Sequence, residues 1–132
     1  MQTIILSVFF LLHGLIHLLY FGQSRRLFEL RPKMVWPDGS WAFSKLLGDQ
    51  STRRLACIGL VLAALGFLTG SVGLAIHQAW WRPIIVGSAA FSSQLFILLW
   101  DGKLKALDEK GGVGLLINLA IFAAASILNW PS

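Results

Sequence analysis

The sequence predicts an all-α fold, a bundle of four transmembrane helices that forms one membrane domain over residues 1–132. Of its residues, 56% are hydrophobic and 13% are charged, and the mean hydropathy is +0.71. Soluble domains are about 45–50% apolar and about 25% charged, so this composition indicates an integral membrane protein. Four apolar stretches, at about 3–21, 55–77, 83–100 and 113–130, alternate with polar connections. Short interfacial helices are expected in the cytoplasmic connections.

The first apolar stretch, residues 3–21, carries no charge and is long enough to cross a bilayer. Residues 1–5 lack Lys and Arg and no small-residue cleavage pattern follows, so we interpret it as a retained helix and not a signal peptide. His13 and His17 are four residues apart and therefore share one helix face. Polar groups at membrane depth are costly and often functional, which makes both histidines candidate ligand-binding residues.

The connection over residues 22–54 has seven basic and three acidic residues. Its Trp-Pro-Asp-Gly-Ser segment, 36–40, predicts a turn. Ser40 then caps a short helix over 41–47 that ends at Gly48, and Asp49 or Ser51 caps the next helix. Trp41 beside a lysine favours an interfacial position for the short helix, while the alternative is a plain basic connector.

The second stretch, 55–77, contains no Lys, Arg, Asp or Glu and is rich in glycine. Gly66 and Gly70 fit the small-x-x-x-small pattern of closely packed membrane helices. They predict packing within the chain, or a contact with a second copy or a larger membrane complex. Cys57 is the only cysteine, which excludes an intramolecular disulfide, and we expect a buried apolar role for it.

The third and fourth stretches each contain an amide at membrane depth, Gln94 and Asn118. An amide needs partners on another helix, whereas a serine can bond back to its own helix. By the helical rise of about 1.5 Å per residue, His17, Gln94 and Asn118 lie at similar depths. We therefore predict a polar cluster in the cytoplasmic half of the bundle, with His13 one turn deeper.

Basic residues predict the topology. Ten of the eleven Lys and Arg lie in the connections 22–54 and 101–112, and only Arg82 lies elsewhere. The positive-inside rule places both connections in the cytoplasm and both termini outside a bacterial cytoplasmic membrane. The net charge of +5 then indicates contact with anionic lipid and not with nucleic acid. Six tryptophans are predicted interfacial anchors: Trp36, Trp41, Trp80, Trp81, Trp100 and Trp130.

Four segments carry a resemblance to known proteins: residues 13–17 (HGLIH), 36–41 (WPDGSW), 100–103 (WDGK) and 111–118 (GGVGLLIN). With these segments the chain resembles a group of small four-span bacterial membrane proteins that are often labelled transporter permeases. The resemblance covers most of the chain and implies the fold, but no activity. A phosphate-binding Gly-x-x-x-x-Gly-Lys-[Ser/Thr] motif is absent from the sequence.

Three functions remain open. In the first, His13, His17, Gln94 and Asn118 bind the headgroup of a hydrophobic small molecule such as a quinone, isoprenoid or lipid. In the second, His13 and His17 bind a metal or haem, although no third ligand is evident without a homodimer. In the third, the protein is a non-catalytic accessory subunit. The aspartates at 38, 49 and 101 are interpreted as solvated loop charges. The sequence alone does not identify a catalytic residue or a cofactor.

Overall fold

A computed structural model describes residues 2–28, 36–102 and 112–127. It contains four α-helices, and no strand occurs within these ranges. The all-α prediction is therefore confirmed. The helices are α1 (Gln2–Ser24), α2 (Ser44–Ala75), α3 (Trp81–Leu99) and α4 (Gly112–Phe122), and α4 continues as a π-helical turn over Ala123–Ile127.

Three of the helices, α1, α2 and α3, are long and apolar enough to cross a membrane. The segment Gly112–Ile127 is a shorter apolar helix, and the predicted end of the fourth span near residue 130 lies outside the described residues. Many large apolar side chains of these helices point outward, as expected where the surrounding medium is lipid. The chain is accordingly a helical membrane protein.

The start of α2 differs from its prediction. A separate helix over 41–47 was expected, but residues 41–43 form a turn and α2 begins at Ser44, with a kink at Gly48 (φ 81°, ψ 161°). Glycine adopts this positive φ without steric cost, which explains the kink. Ser40 does not cap a helix as predicted: its Oγ accepts from the N–H of Phe43 at 3.2 Å within the turn, and α2 begins after Phe43 without a side-chain cap. Trp41 is 55% exposed, and its interfacial position stays a prediction.

The helices pack in chain order. Extensive contacts join α1 to α2, α2 to α3, and α3 to α4, while α1 and α4 share no extensive backbone contact. We call the end where α1 and α3 finish and α2 begins the basic end of the bundle. At the opposite end, Arg82 donates to the carbonyl of Ala125 at 2.7 Å and ties the start of α3 to the π-helical turn.

Glycines on α2 bring α3 close. A Cβ added at Gly70 would lie 2.5 Å from Cδ1 of Ile85, and one added at Gly66 would collide with the Ser88 hydroxyl. Their predicted packing within the chain is confirmed. A partner contact through Gly66 and Gly70 stays a prediction, and such a partner would compete with α3 for this face.

Two apolar clusters fill the bundle. The one farther from the basic end includes Phe10, Phe67, Trp81, Ile85 and Ile121. The one at the basic end comprises Trp36, Ala56, Leu60, Leu95, Phe96 and Leu99. Cys57 is buried as predicted. A layer of polar side chains lies between the two clusters.

Two of the tryptophans predicted to be interfacial anchors belong to these clusters instead. Trp36 is 4% exposed, because its ring packs against Tyr20 and Phe96 with centroid distances of 5.1 and 5.8 Å. Trp81 is buried against Phe10. The exposed Trp41 and Trp80 remain suited to an interface, Trp100 is half-buried, and Trp130 lies outside the described residues.

Candidate functional site

The two histidines of α1 face the interior of the bundle, as predicted. His13 is 2% exposed and His17 is 1% exposed. Among the buried positions of this helix, 10, 13, 14 and 17 follow the i, i+3, i+4, i+7 spacing of one helix face. The Phe67 ring of α2 contacts both imidazoles, with centroids 4.8 Å from His13 and 5.2 Å from His17.

The hydrogen bonds of His17 define its tautomer. Its Nδ1 lies 2.8 Å from the carbonyl oxygen of His13, and its Nε2 lies 2.6 Å from Oγ of Ser92 on α3. Because a carbonyl only accepts, Nδ1 carries the hydrogen. In a neutral ring Nε2 is then an acceptor, so the Ser92 hydroxyl donates to it. The neutral ring is favoured because an imidazolium at this depth would be costly.

Asn118 on α4 completes the cluster. Its Nδ2 donates to Oγ of Ser92 at 2.8 Å, and its Oδ1 lies 2.7 Å from Nε2 of His13. Since Oδ1 is an acceptor, His13 carries its hydrogen on Nε2 and donates it. The predicted inward position of Asn118 is confirmed.

The hydrogen bonds of this cluster form a chain in which each group donates to the next. His13 donates to Asn118, Asn118 donates to Ser92, Ser92 donates to His17, and His17 donates to the backbone of His13. The side-chain bonds therefore link α1, α3 and α4 at one level of the bundle. Reversing the Asn118 amide would require both nitrogens of His17 to donate, which only an imidazolium can do. The neutral network thus has a single arrangement.

Gln94 does not join this cluster. Its side chain is exposed, as are Phe91 and Ile97 on the same stripe of α3. The prediction that Gln94 turns inward is wrong, and Ser92 provides the α3 side chain of the cluster. Two residues along a helix differ by about 200° in direction, so Ser92 and Gln94 point to nearly opposite sides. Ser92 lies on the buried stripe with Ile85, Ala89 and Phe96, which is the signal that identifies it.

Both ring nitrogens of His17 are engaged in hydrogen bonds, so metal coordination by His17 would break one of them. In the described part of the chain, no group of three His, Cys, Asp or Glu side chains is placed to hold a metal ion. Binding of metal or haem by His13 and His17 stays a prediction without support from a third ligand.

A groove of about 390 Å³ runs between α1 and α4 where these helices separate. Its lining includes Phe10 of α1 and Ile117 and Ile121 of α4, which are buried or half-buried, and the exposed residues Ile5, Phe9 and Ala120. Phe9 and Phe10 precede His13 by about one turn, and Ile121 follows Asn118 by about one turn. The hydrogen-bonded pair of His13 and Asn118 therefore lies about one helical turn from residues that line the apolar groove.

Asp38 binds two arginines at the basic end. Its carboxylate accepts from Nε of Arg53 at 2.6 Å and from a terminal nitrogen of the same guanidinium, and it lies 3.0 Å from Arg26. The interpretation of Asp38 as a solvated loop charge is therefore wrong. The N–H of Gly39 donates to the exposed Asp49 carboxylate at 3.0 Å.

The turn that carries Asp38 is also fixed to the end of α3. The Ser40 hydroxyl donates to the carbonyl of Leu98 at 2.6 Å, and the indole N–H of Trp41 donates to the carbonyl of Ile97 at 2.7 Å. Residues 36–41 therefore lie across the ends of α1, α2 and α3. They are held there by the ion pairs of Asp38 with two arginines and by hydrogen bonds to carbonyls at the end of α3. This turn closes the bundle core at the basic end.

A comparison with protein-family models finds no match, and comparisons with curated proteins and with solved structures also find none.

Proposed function

We propose that this membrane protein binds a small neutral amphiphile of the isoprenoid quinone class. Its apolar chain would lie in the groove between α1 and α4, and its polar head would bind at His13 and Asn118. The observation that carries this proposal is that residues lining the apolar groove lie within about one helical turn of His13 and Asn118, which are hydrogen-bonded to each other across α1 and α4.

The groove has the volume and the opening that an apolar chain entering from the membrane needs. Its volume of about 390 Å³ lies within the roughly 300–1,000 Å³ of small-molecule sites. Ile5 and Ala120 on its rim are exposed, so the groove opens sideways toward lipid and a long chain can extend beyond it. A ligand of this kind needs no path through water.

The depth of His13 and Asn118 in the membrane favours a ligand with a neutral polar head. His13 lies eleven residues from the start of α1 at Gln2, which is about 16 Å along the helix and near the middle of a bilayer. A charged head is costly at that depth, which favours a neutral one. Opening the bond between His13 and Asn118 frees one N–H donor and one oxygen acceptor. These groups match a quinone carbonyl and a hydroquinone hydroxyl.

We further propose that the basic end faces the cytoplasm of a bacterium, with both termini outside. The concentration of Lys and Arg in the two connections supports this orientation. A single cysteine at position 105 in a Cys57→Ser background should react with an impermeant thiol reagent only in opened cells. Labelling in intact cells would reverse the proposed orientation.

Mass spectrometry of lipids extracted from the purified protein tests the ligand. We expect a neutral prenyl compound enriched over its level in the membrane extract. Ala120→Trp should remove it, because the indole fills the groove from an exposed position and does not disturb the core. Leu65→Trp places the same side chain on an exposed surface of α2 and should retain it. No enrichment, or equal enrichment in all three proteins, would refute the proposal and favour the accessory-subunit function.

A further inference from the structure

We infer a second site, at which Arg25 and Arg54 bind the phosphate of an anionic phospholipid in the leaflet at the basic end. The acyl chain would lie along Ile58 and Leu62 of α2. This site is separate from the neutral-ligand site and shares with it only the placement of the bundle in a membrane.

The site is a groove of about 540 Å³ between the end of α1 and the apolar part of α2. Arg25 and Arg54 lie at its charged end, and Ile58, Val61 and Leu62 line the apolar part. Cys57 contributes to the wall from its buried position. The groove therefore joins two guanidinium groups to a continuous apolar surface.

Among the described residues, four arginines lie at this end of the bundle, and they fall into two pairs. Arg26 and Arg53 share the carboxylate of Asp38. Arg25 and Arg54 are exposed, and neither forms an ion pair with a carboxylate in the described part of the chain. Two guanidinium groups that line one groove repel each other, and an anion bound between them relieves that repulsion. Guanidinium groups also bind phosphate oxygens through paired N–H donors.

The apolar part of the groove identifies the anion as a lipid phosphate. Ile58 is 61% exposed and Leu62 is 54% exposed, and they follow Arg54 at intervals of four residues on one helix face. From Arg54 to Leu62 the helix rises about 12 Å, close to the roughly 15 Å of one leaflet's hydrocarbon. A free phosphate would contact only the two arginines and leave the apolar part of the groove empty. A phospholipid uses both parts of the groove, and anionic lipids are available at a cytoplasmic surface.

Native mass spectrometry of the full-length protein tests this site, with phosphatidylglycerol and phosphatidylcholine of equal chain length added in detergent. We expect one molecule of phosphatidylglycerol to be retained in preference to phosphatidylcholine. Arg25→Gln and Arg54→Gln should each reduce its apparent affinity about tenfold, the effect of losing about 1.4 kcal/mol. Lys45→Gln removes the same charge from an exposed position on the same end and should leave the affinity unchanged.

Three results would overturn the inference. An equal loss in Lys45→Gln would show general attraction to a basic surface. Unchanged binding in both arginine variants would place the lipid elsewhere. Displacement of phosphatidylglycerol by equimolar glycerol phosphate, which has no acyl chain, would identify the site as one for a free phosphate. Because all three substituted side chains are exposed, circular dichroism should show equal helix content in the variants.

Discussion

Oγ of Ser92 lies 2.6 Å from Nε2 of His17, although the two residues are 75 positions apart in the chain. The same oxygen accepts a hydrogen bond from Asn118. One hydroxyl therefore satisfies an imidazole from α1 and an amide from α4 at once. This small side chain lets three helices meet at the polar layer.

Ser92→Ala should destabilise the bundle, because it leaves Nε2 of His17 and Nδ2 of Asn118 without their partner. Hydrogen bonds between membrane helices average about 0.6 kcal/mol and reach about 1.7 kcal/mol, so losing two should cost about 1–2 kcal/mol. Reversible unfolding in mixed micelles would measure the difference in free energy.

The neighbouring residue provides the control for this change. Ser93 is also buried, but its Oγ has no hydrogen-bond partner in the described part of the chain. Ser93→Ala should be neutral or slightly stabilising, since it removes an unsatisfied polar atom. Equal effects of the two substitutions would contradict the hydrogen-bond network assigned to Ser92.

Gly70→Ala should separate α2 from α3. The new methyl group would collide with the side chain of Ile85, which is fully buried. Overpacking of this kind costs about 1–3 kcal/mol. Gly87→Ala is the matched change, because no atom lies within 4 Å of the added Cβ, and it should keep or raise stability. If Gly87→Ala is the more damaging of the two, the packing of α2 on α3 is not the one described.

Hydrophobic length and residue spacing on one helix predict a large part of this structure. The spans of α1 and α3 follow from their uncharged stretches, and the inward face of α1 follows from the four-residue spacing of His13 and His17. These features are local. A helix face and a span length depend on periodicity and hydropathy, which a single sequence contains.

Which side chains of different helices contact each other is harder to predict from the sequence. Hydrogen-bonding capacity favoured Gln94 over Ser92, yet the rotation of α3 against α2 decided which of them is buried. That rotation depends on glycine contacts with the neighbouring helix. Asp38 was similarly assigned to solvent, because its two arginine partners come from the end of α1 and from α2 and meet only in the folded bundle.

Gln94→Leu should maintain or raise the stability of the isolated protein. The amide is exposed on a membrane-spanning helix, where lipid offers it no hydrogen-bond partner, and leucine removes that cost. Thermal unfolding in lipid nanodiscs would measure the change, with Ser92→Ala unfolding at a lower temperature in the same medium. A marked loss of stability in Gln94→Leu would contradict the exposed position of Gln94 and indicate that its side chain belongs to the polar layer.

Asp38→Asn should loosen the turn over residues 36–41. The substitution removes the charge that Arg26 and Arg53 share, and because these groups are partly exposed we expect a cost of about 1 kcal/mol. High salt should reduce the difference from wild type. Asp49→Asn changes the same charge at an exposed position where the amide oxygen still accepts from Gly39, and should have a smaller effect. An equal effect of both substitutions would indicate only the loss of net charge.

In the proposed function, the groove between α1 and α4 and the pair of His13 and Asn118 form one binding site for a neutral amphiphile. The most direct test is photo-crosslinking in cells with a benzophenone amino acid at position 120 in the groove, compared with position 65 on the exposed surface of α2. We predict a single adduct at position 120 with the mass of a neutral prenyl compound, lost in His13→Ala, and bulk phospholipid adducts at position 65. The same phospholipid adducts at both positions would contradict the claim.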